Sequence, residues 1–152
     1  MLVSYKWLQT YFKEPLPGVE DLARKITFSS FEIEGIENKV NDFVLDINVL
    51  PDRACYALSH LGIAKEISAI LPDNEFISRE ISFSENSEIV KPEVEILNKN
   101  ICKRYIAVKV MNVASESPVW LKERLNSVGQ RSISLLVDLT NFVMLDIGEP
   151  MH

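Results

Sequence analysis

Four polar residues, Arg131, Ser134, Asp138 and Asn141, recur at i, i+3, i+7 and i+10 in a stretch that is otherwise apolar nearly all round. On a helix over 132–147 they fall in one narrow stripe. Ile133, Leu136, Val137, Thr140, Val143, Met144 and Ile147 cover one side of that helix, and Leu135, Leu139 and Phe142 much of another. A helix so apolar is expected to be buried. A carboxylate or guanidinium carried inside with it needs partners, because an unpaired buried charge is costly. Those partners are either neighbouring groups of the fold or a ligand, and on both accounts the stripe is the best candidate site in the chain. Other chemistry is thinly represented. His60 and His152 are too few and too far apart for a zinc site. His60, beside an apolar helix face, reads as a hydrogen-bonded structural histidine. Five glycines form no phosphate-cradling loop, and neither a nucleophile elbow nor a CxxC pair occurs. Cys55 and Cys102 stand far apart, which excludes a disulfide framework or cysteine-rich metal centre and makes a reducing cytoplasm the expected compartment.

The elements expected to position the stripe follow from hydrophobic spacing. Ser4 can cap a short helix carrying Trp7, Leu8, Tyr11 and Phe12, stopped by Pro15-Leu16-Pro17-Gly18. Val19, Leu22, Ala23 and Ile26 mark a second helix. Alternation over 31–37 and 43–49 predicts two strands joined by a turn at Asn41-Asp42. A longer helix is expected over 56–71, ended by Pro72. Residues 73–93 are acidic and polar and serve as a connecting segment. A second unit would then run over 94–152, with a strand or short helix at 94–97, a strand at 105–113, a helix begun by Ser117-Pro118 and closed near Gly129, and the striped helix. The expected architecture is α+β, as two small units (1–72 and 94–152) of helices packed on short, mainly antiparallel sheets.

Charge narrows the function classes. The 152 residues carry a formal net charge of −6, which argues against a generally basic nucleic-acid binder. Yet Lys99–Arg131 holds seven basic and two acidic residues, and the remainder nine basic and twenty acidic. That local excess is either a solvated face or a patch turned towards a polyanion. No apolar run approaches the roughly 20 residues that cross a bilayer, and the start shows no signal peptide.

Motifs add what spacing does not. Ser4-Tyr5-Lys6-Trp7-Leu8, Phe31-Glu32-Ile33-Glu34-Gly35-Ile36-Glu37, Pro51-Asp52-Arg53 with Leu58-Ser59-His60-Leu61-Gly62-Ile63-Ala64-Lys65-Glu66, Cys102-Lys103-Arg104-Tyr105, Ser117-Pro118-Val119-Trp120-Leu121, Val137-Asp138-Leu139-Thr140-Asn141-Phe142-Val143-Met144 and Gly148-Glu149-Pro150-Met151-His152 follow one another in order. In that order they resemble the N-terminal part of the bacterial phenylalanyl-tRNA synthetase beta-subunit family. The resemblance implies an α2β2 partnership with a catalytic alpha subunit, tRNA(Phe) as a partner, ATP and Mg2+ as requirements of the whole enzyme but not of this chain, and a cytoplasmic location. It also implies an editing domain, begun at residue 94, that hydrolyses wrongly formed tyrosyl-tRNA. Arg131 and His152 would line that pocket: the arginine holds substrate or phosphate, and the histidine positions water or the tRNA 3′ end. Asp138 and Asn141 would support them. Departures accompany the resemblance, among them Glu149 where the family usually has glutamine and a spacing from Arg53 to Gly62 one residue longer than usual. Glu37 runs straight into the next strand where the family usually carries an inserted tRNA-binding domain, Ser30 replaces a glycine, and the family pattern continues beyond His152. The chain is therefore expected to supply scaffold and part of an editing pocket and to be inactive alone. The alternative is a free-standing, non-catalytic module that binds tRNA or a protein.

Overall fold

Strand β1 (Leu2–Ser4) turns directly into helix α1 (Tyr5–Gln9), because the Ser4 hydroxyl accepts a hydrogen bond from the Trp7 N–H at 3.0 Å and caps the helix. In this computed structural model, which describes residues 1–78, 92–107 and 109–151, the chain divides into two units, Met1–Ser78 with Ser115–His152 and Arg79–Ala114.

The first unit holds a three-stranded antiparallel sheet of order β1-β3-β2, with β2 at Glu32–Lys39 and β3 at Asp42–Asn48. The expected hairpin is present. Lys39 pairs with Asp42, so only Val40 and Asn41 make the turn, and Asn41 takes the left-handed φ of 64° that asparagine tolerates. No alternation announces β1, since three residues are too few. It forms because β3 offers it a free edge, with Val3 opposite Leu45. Helix α2 (Val19–Ser29) buries Val19, Leu22, Ala23 and Ile26 as their spacing predicts. Ser30, where the resembled family has glycine, closes α2 at a φ of −145°, which requires no glycine, and its hydroxyl bonds Glu66 and Arg53.

The long helix expected over 56–71 is instead two, α3 (Ala54–Ala57) and α4 (His60–Ile70). Ser59 is extended between them and its hydroxyl accepts from the Gly62 N–H at 3.0 Å. Serine competes for backbone groups in this way, so it breaks a helix that the apolar periodicity alone would continue. Leu58, expected inside, is consequently exposed.

Helices α5 (Val119–Ser127) and α6 (Leu135–Ile147) belong with the first unit. Most of the connecting segment expected at 73–93 (79–91) lies outside the described residues, and residues 115–152 group with the N-terminal elements where one unit over 94–152 was expected. Among the described residues of the second unit there is neither helix nor strand. The elements expected at 94–97 and 105–113 are absent there, although Val108 lies outside the described residues. Ile106 and Val110 are exposed and have no strand to pair with among the described residues, while the Asn98 side chain holds a turn by accepting from Asn100 and Ile101. The α+β class is the one observed, carried by six helices and a single small sheet among the described residues.

Candidate functional site

Helix α6 is fastened to its unit by the two carboxylates it buries, Asp138 near its start and Asp146 near its end. The helix begins three residues later than its pattern suggests, because Ser134 is extended. Asp138 then lies in the first turn, where the helix dipole favours an anion. One carboxylate oxygen accepts from the hydroxyls of Ser117 and of Ser132 (2.5 Å), and the other from the Ile133 N–H at 2.8 Å. Burial alone would push this carboxyl up. The bonds from Ser117, Ser132, Ile133 and Ser134 outweigh it and hold Asp138 below the usual carboxylate range. Ser117 was expected to cap α5. Its hydroxyl goes to Asp138 instead, and Pro118 takes the capping position.

The polar stripe is therefore divided. Arg131 and Ser134 precede the helix, and the Arg131 side chain is exposed. Asp138 is turned inward onto neutral donors, not onto Arg131, and Asn141 is half-buried. His152 lies outside the described residues. A groove of about 650 Å³ runs between the Lys39–Asp42 hairpin tip and Trp120, Glu123 and Arg124 of α5, and Arg131, Asp138 and Asn141 do not line it. Among the described residues no group of three or more His, Cys, Asp or Glu could hold a metal ion. Cys55 and Cys102 are free thiols.

The far end of α6 carries groups that the spacing argument missed. Asp146 accepts from Trp7 Nε1 at 2.7 Å and from the Tyr11 hydroxyl. His60 Nδ1 meets the Leu145 carbonyl at 2.8 Å, and Nε2 accepts from the Ser4 N–H at 3.1 Å, which selects the neutral Nδ1–H tautomer. The Trp7 ring lies between the rings of His60 (3.8 Å between centroids, 18° between planes) and Phe142 (4.9 Å, 4°). The Arg124 guanidinium sits 5.4–5.9 Å from the rings of Trp7, Trp120 and Phe142. The available signal was Asp146 itself, a second acidic residue in an apolar helix eight positions after Asp138.

Burial pushes the His60 pKa down from 6.5 to about 4, against the Leu145 carbonyl and the Asp146 charge, which raise it. The unfolded chain therefore takes up this proton first. The stability contributed by neutral His60 is complete above pH 6.5 and is lost as pH falls towards 4, a swing of about 3 kcal/mol at about 1.4 per pKa unit. In a His152→Ala chain, which retains a single imidazole, nitrogen chemical shifts should show a neutral ring down to about pH 4. Protonation near 6.5 would contradict the buried geometry.

The expectation that α6 is buried nearly all round is corrected. Leu136 is 60% exposed, and Val137, Leu139 and Ile147 stay between 37% and 41%. Asp138 and Asp146 are the residues inside, because the neighbours α6 meets here offer hydrogen-bond donors.

Similarities to known proteins bear on this arrangement. Residues 101–152 match a family model described as the B3/4 domain. The chain is 35% identical along its whole length to a protein of Rhodopirellula baltica and 42% identical over 80% of its length to one of Clostridium acetobutylicum, both named phenylalanine--tRNA ligase beta subunit. It is 31% identical along its whole length to the chloroplastic protein of that name from Porphyra purpurea. It spans only 22%, 15% and 22% of these relatives. The Rhodopirellula match uses 155 aligned positions for 152 residues, which leaves no room for a domain-sized insertion at the β2–β3 turn in that relative either. Matched in full by relatives of one name, the chain belongs to the phenylalanine–tRNA ligase beta-subunit family.

Proposed function

We propose that this chain is a stretch of a phenylalanine–tRNA ligase beta subunit that supplies scaffold and one wall of an editing pocket for tyrosyl-tRNA(Phe), and that it has no catalytic activity alone. The observation that carries this reading is the exposed apolar side of α6, with Leu136, Val137, Leu139 and Ile147, on a helix inside the B3/4 match. A water-soluble domain covers such a side, and the relatives carry four to six times as much chain. The free-standing module would be expected to have this face covered by its own residues. The editing domain would begin at residue 94 and draw α5 and α6 from the unit that also holds residues 1–78. ATP and Mg2+ would serve aminoacylation in the catalytic alpha subunit of an α2β2 assembly, in the cytoplasm. No helix among the described residues is long and apolar enough to cross a membrane.

In the pocket, Arg131 and His152 would touch the tRNA end, with Asn141 in a supporting role. Asp138 serves from beneath, by ordering 131–134. The test uses the enzyme assembled from the gene's complete beta-type product and its alpha-type partner. Arg131→Ala and His152→Ala should each slow hydrolysis of tyrosyl-tRNA(Phe) at least tenfold and leave phenylalanylation unchanged. Unaltered hydrolysis in both variants would refute the pocket assignment.

A further inference from the structure

Asp146 is gripped by donors from α1 and from the turn that follows it, where Tyr11 lies although the sequence placed it on the helix. Trp7 Nε1–H and the Tyr11 hydroxyl, four residues apart, converge on the same carboxylate, and His60 on α4 holds the adjacent Leu145 carbonyl. Apolar packing is non-directional, whereas these bonds are directional. A helix held only by its apolar side could slide or roll against α1. A carboxylate in a two-donor fork has one seat, and Asp138 pins the opposite end of α6 to Ser117 and Ser132. The Trp7 and Phe142 planes, 4° from parallel, close the contact one turn before Asp146.

We propose that Asp146, with Trp7 and Tyr11, is a positioning device through which the N-terminal elements set the rotation of α6, and hence the placing of Asn141 and the segment leading to His152 for hydrolysis. The proposal rests on the editing reading above. With the start of α6 pinned by Asp138, this fork sets the direction of the solvent-facing side chains of its last two turns, so releasing it lets that end turn and displaces the pocket wall without unfolding the unit. Asp146 contacts no substrate; it acts through the helix.

The assembled enzyme provides the first test. Tyr11→Phe removes only the hydroxyl; Trp7→Phe leaves a ring that can still stack but removes the N–H together with part of the buried indole. The double variant should lower kcat for tyrosyl-tRNA(Phe) hydrolysis tenfold or more, with KM for that tRNA and the rate of phenylalanylation unchanged. Asp146→Asn retains an acceptor oxygen and should lose less than Asp146→Ala. If hydrolysis survives in the double variant while Arg131→Ala abolishes it, the positioning role is overturned and the pocket reading stands. If Arg131→Ala and His152→Ala have no effect, the pocket reading fails, and a second measurement on this chain still decides the clamp. Hydrogen exchange at the amides of 142–147 should accelerate at least tenfold in the double variant, with α2 unchanged. Equal protection of 142–147 in the variant and parent chains would overturn it.

Discussion

Asp138→Ala should lower the unfolding free energy of this chain by roughly 2–4 kcal/mol in urea titration, since it strips the acceptor from one buried and two partly buried donors at once. The Ser117 and Ser132 hydroxyls and the Ile133 N–H all point at this carboxylate, and Asp138 itself has no exposed surface. Asp138→Asn should lose less than the alanine variant, because its remaining oxygen can still serve Ile133. The pH dependence has a definite sign. The folded-state pKa lies below the ordinary value, so the stability contributed is present above the unfolded-state value near 3.8 and is lost as pH falls through the folded one. The parent chain should therefore weaken in acid below about pH 4 more steeply than either variant. A loss under about 1 kcal/mol on replacing Asp138 by alanine would mean that water satisfies these donors and that the cradle does not hold the start of α6.

Gly62→Ala should be at least as damaging, for a steric reason. A Cβ at Gly62 would lie 1.9 Å from the Tyr56 carbonyl oxygen, 2.8 Å from its carbon and 2.9 Å from the Ala57 Cα. All three are backbone atoms, so α3 itself would have to move, together with the Ser59 cap between α3 and α4. Forced overpacking of this kind costs about 3 kcal/mol or more, and insoluble expression is an equally expected outcome. Gly35→Ala is the control. Nothing lies within 4 Å of a Cβ there, and alanine loses less conformational freedom than glycine on folding. Thermal melts should show Gly35→Ala unchanged or slightly stabilised and Gly62→Ala lowered by ten degrees or more. Similar melts for the two variants would rule out the close contact.

The elements that could be read from the chain are those whose information is local. Helix α2 repeats its buried positions every three to four residues, as its spacing predicts; the β2–β3 hairpin is found where alternation places it, although β2 buries no residue and β3 buries the adjacent Val44 and Leu45 while Phe43, expected on the inner face, is exposed. Where a side chain competes with the backbone, periodicity misleads: Ser59 divides 56–71 into two helices, and Ser134 delays α6. The matched motifs identified the family without any structure, because long runs of residue identity in order do not depend on where the chain goes.

The candidate site was legible in part, and the physical reason lies in long-range partners. Arg131, Asp138 and Asn141 could be found as polar residues in an apolar setting, but nothing local says which way each one faces. Asp138 turned inward because two serine hydroxyls and backbone N–H groups converge there, whereas Arg131 stayed with solvent because the helix starts after it. Asp146 finds Trp7 and Tyr11 139 and 135 residues away, and no spacing rule spans such a separation. Composition, periodicity and motif order are properties of the chain and set the fold class and the family. Which polar groups are inside, and which unit carries α6, depends on donors brought together from opposite ends of the chain, and only the folded arrangement supplies them.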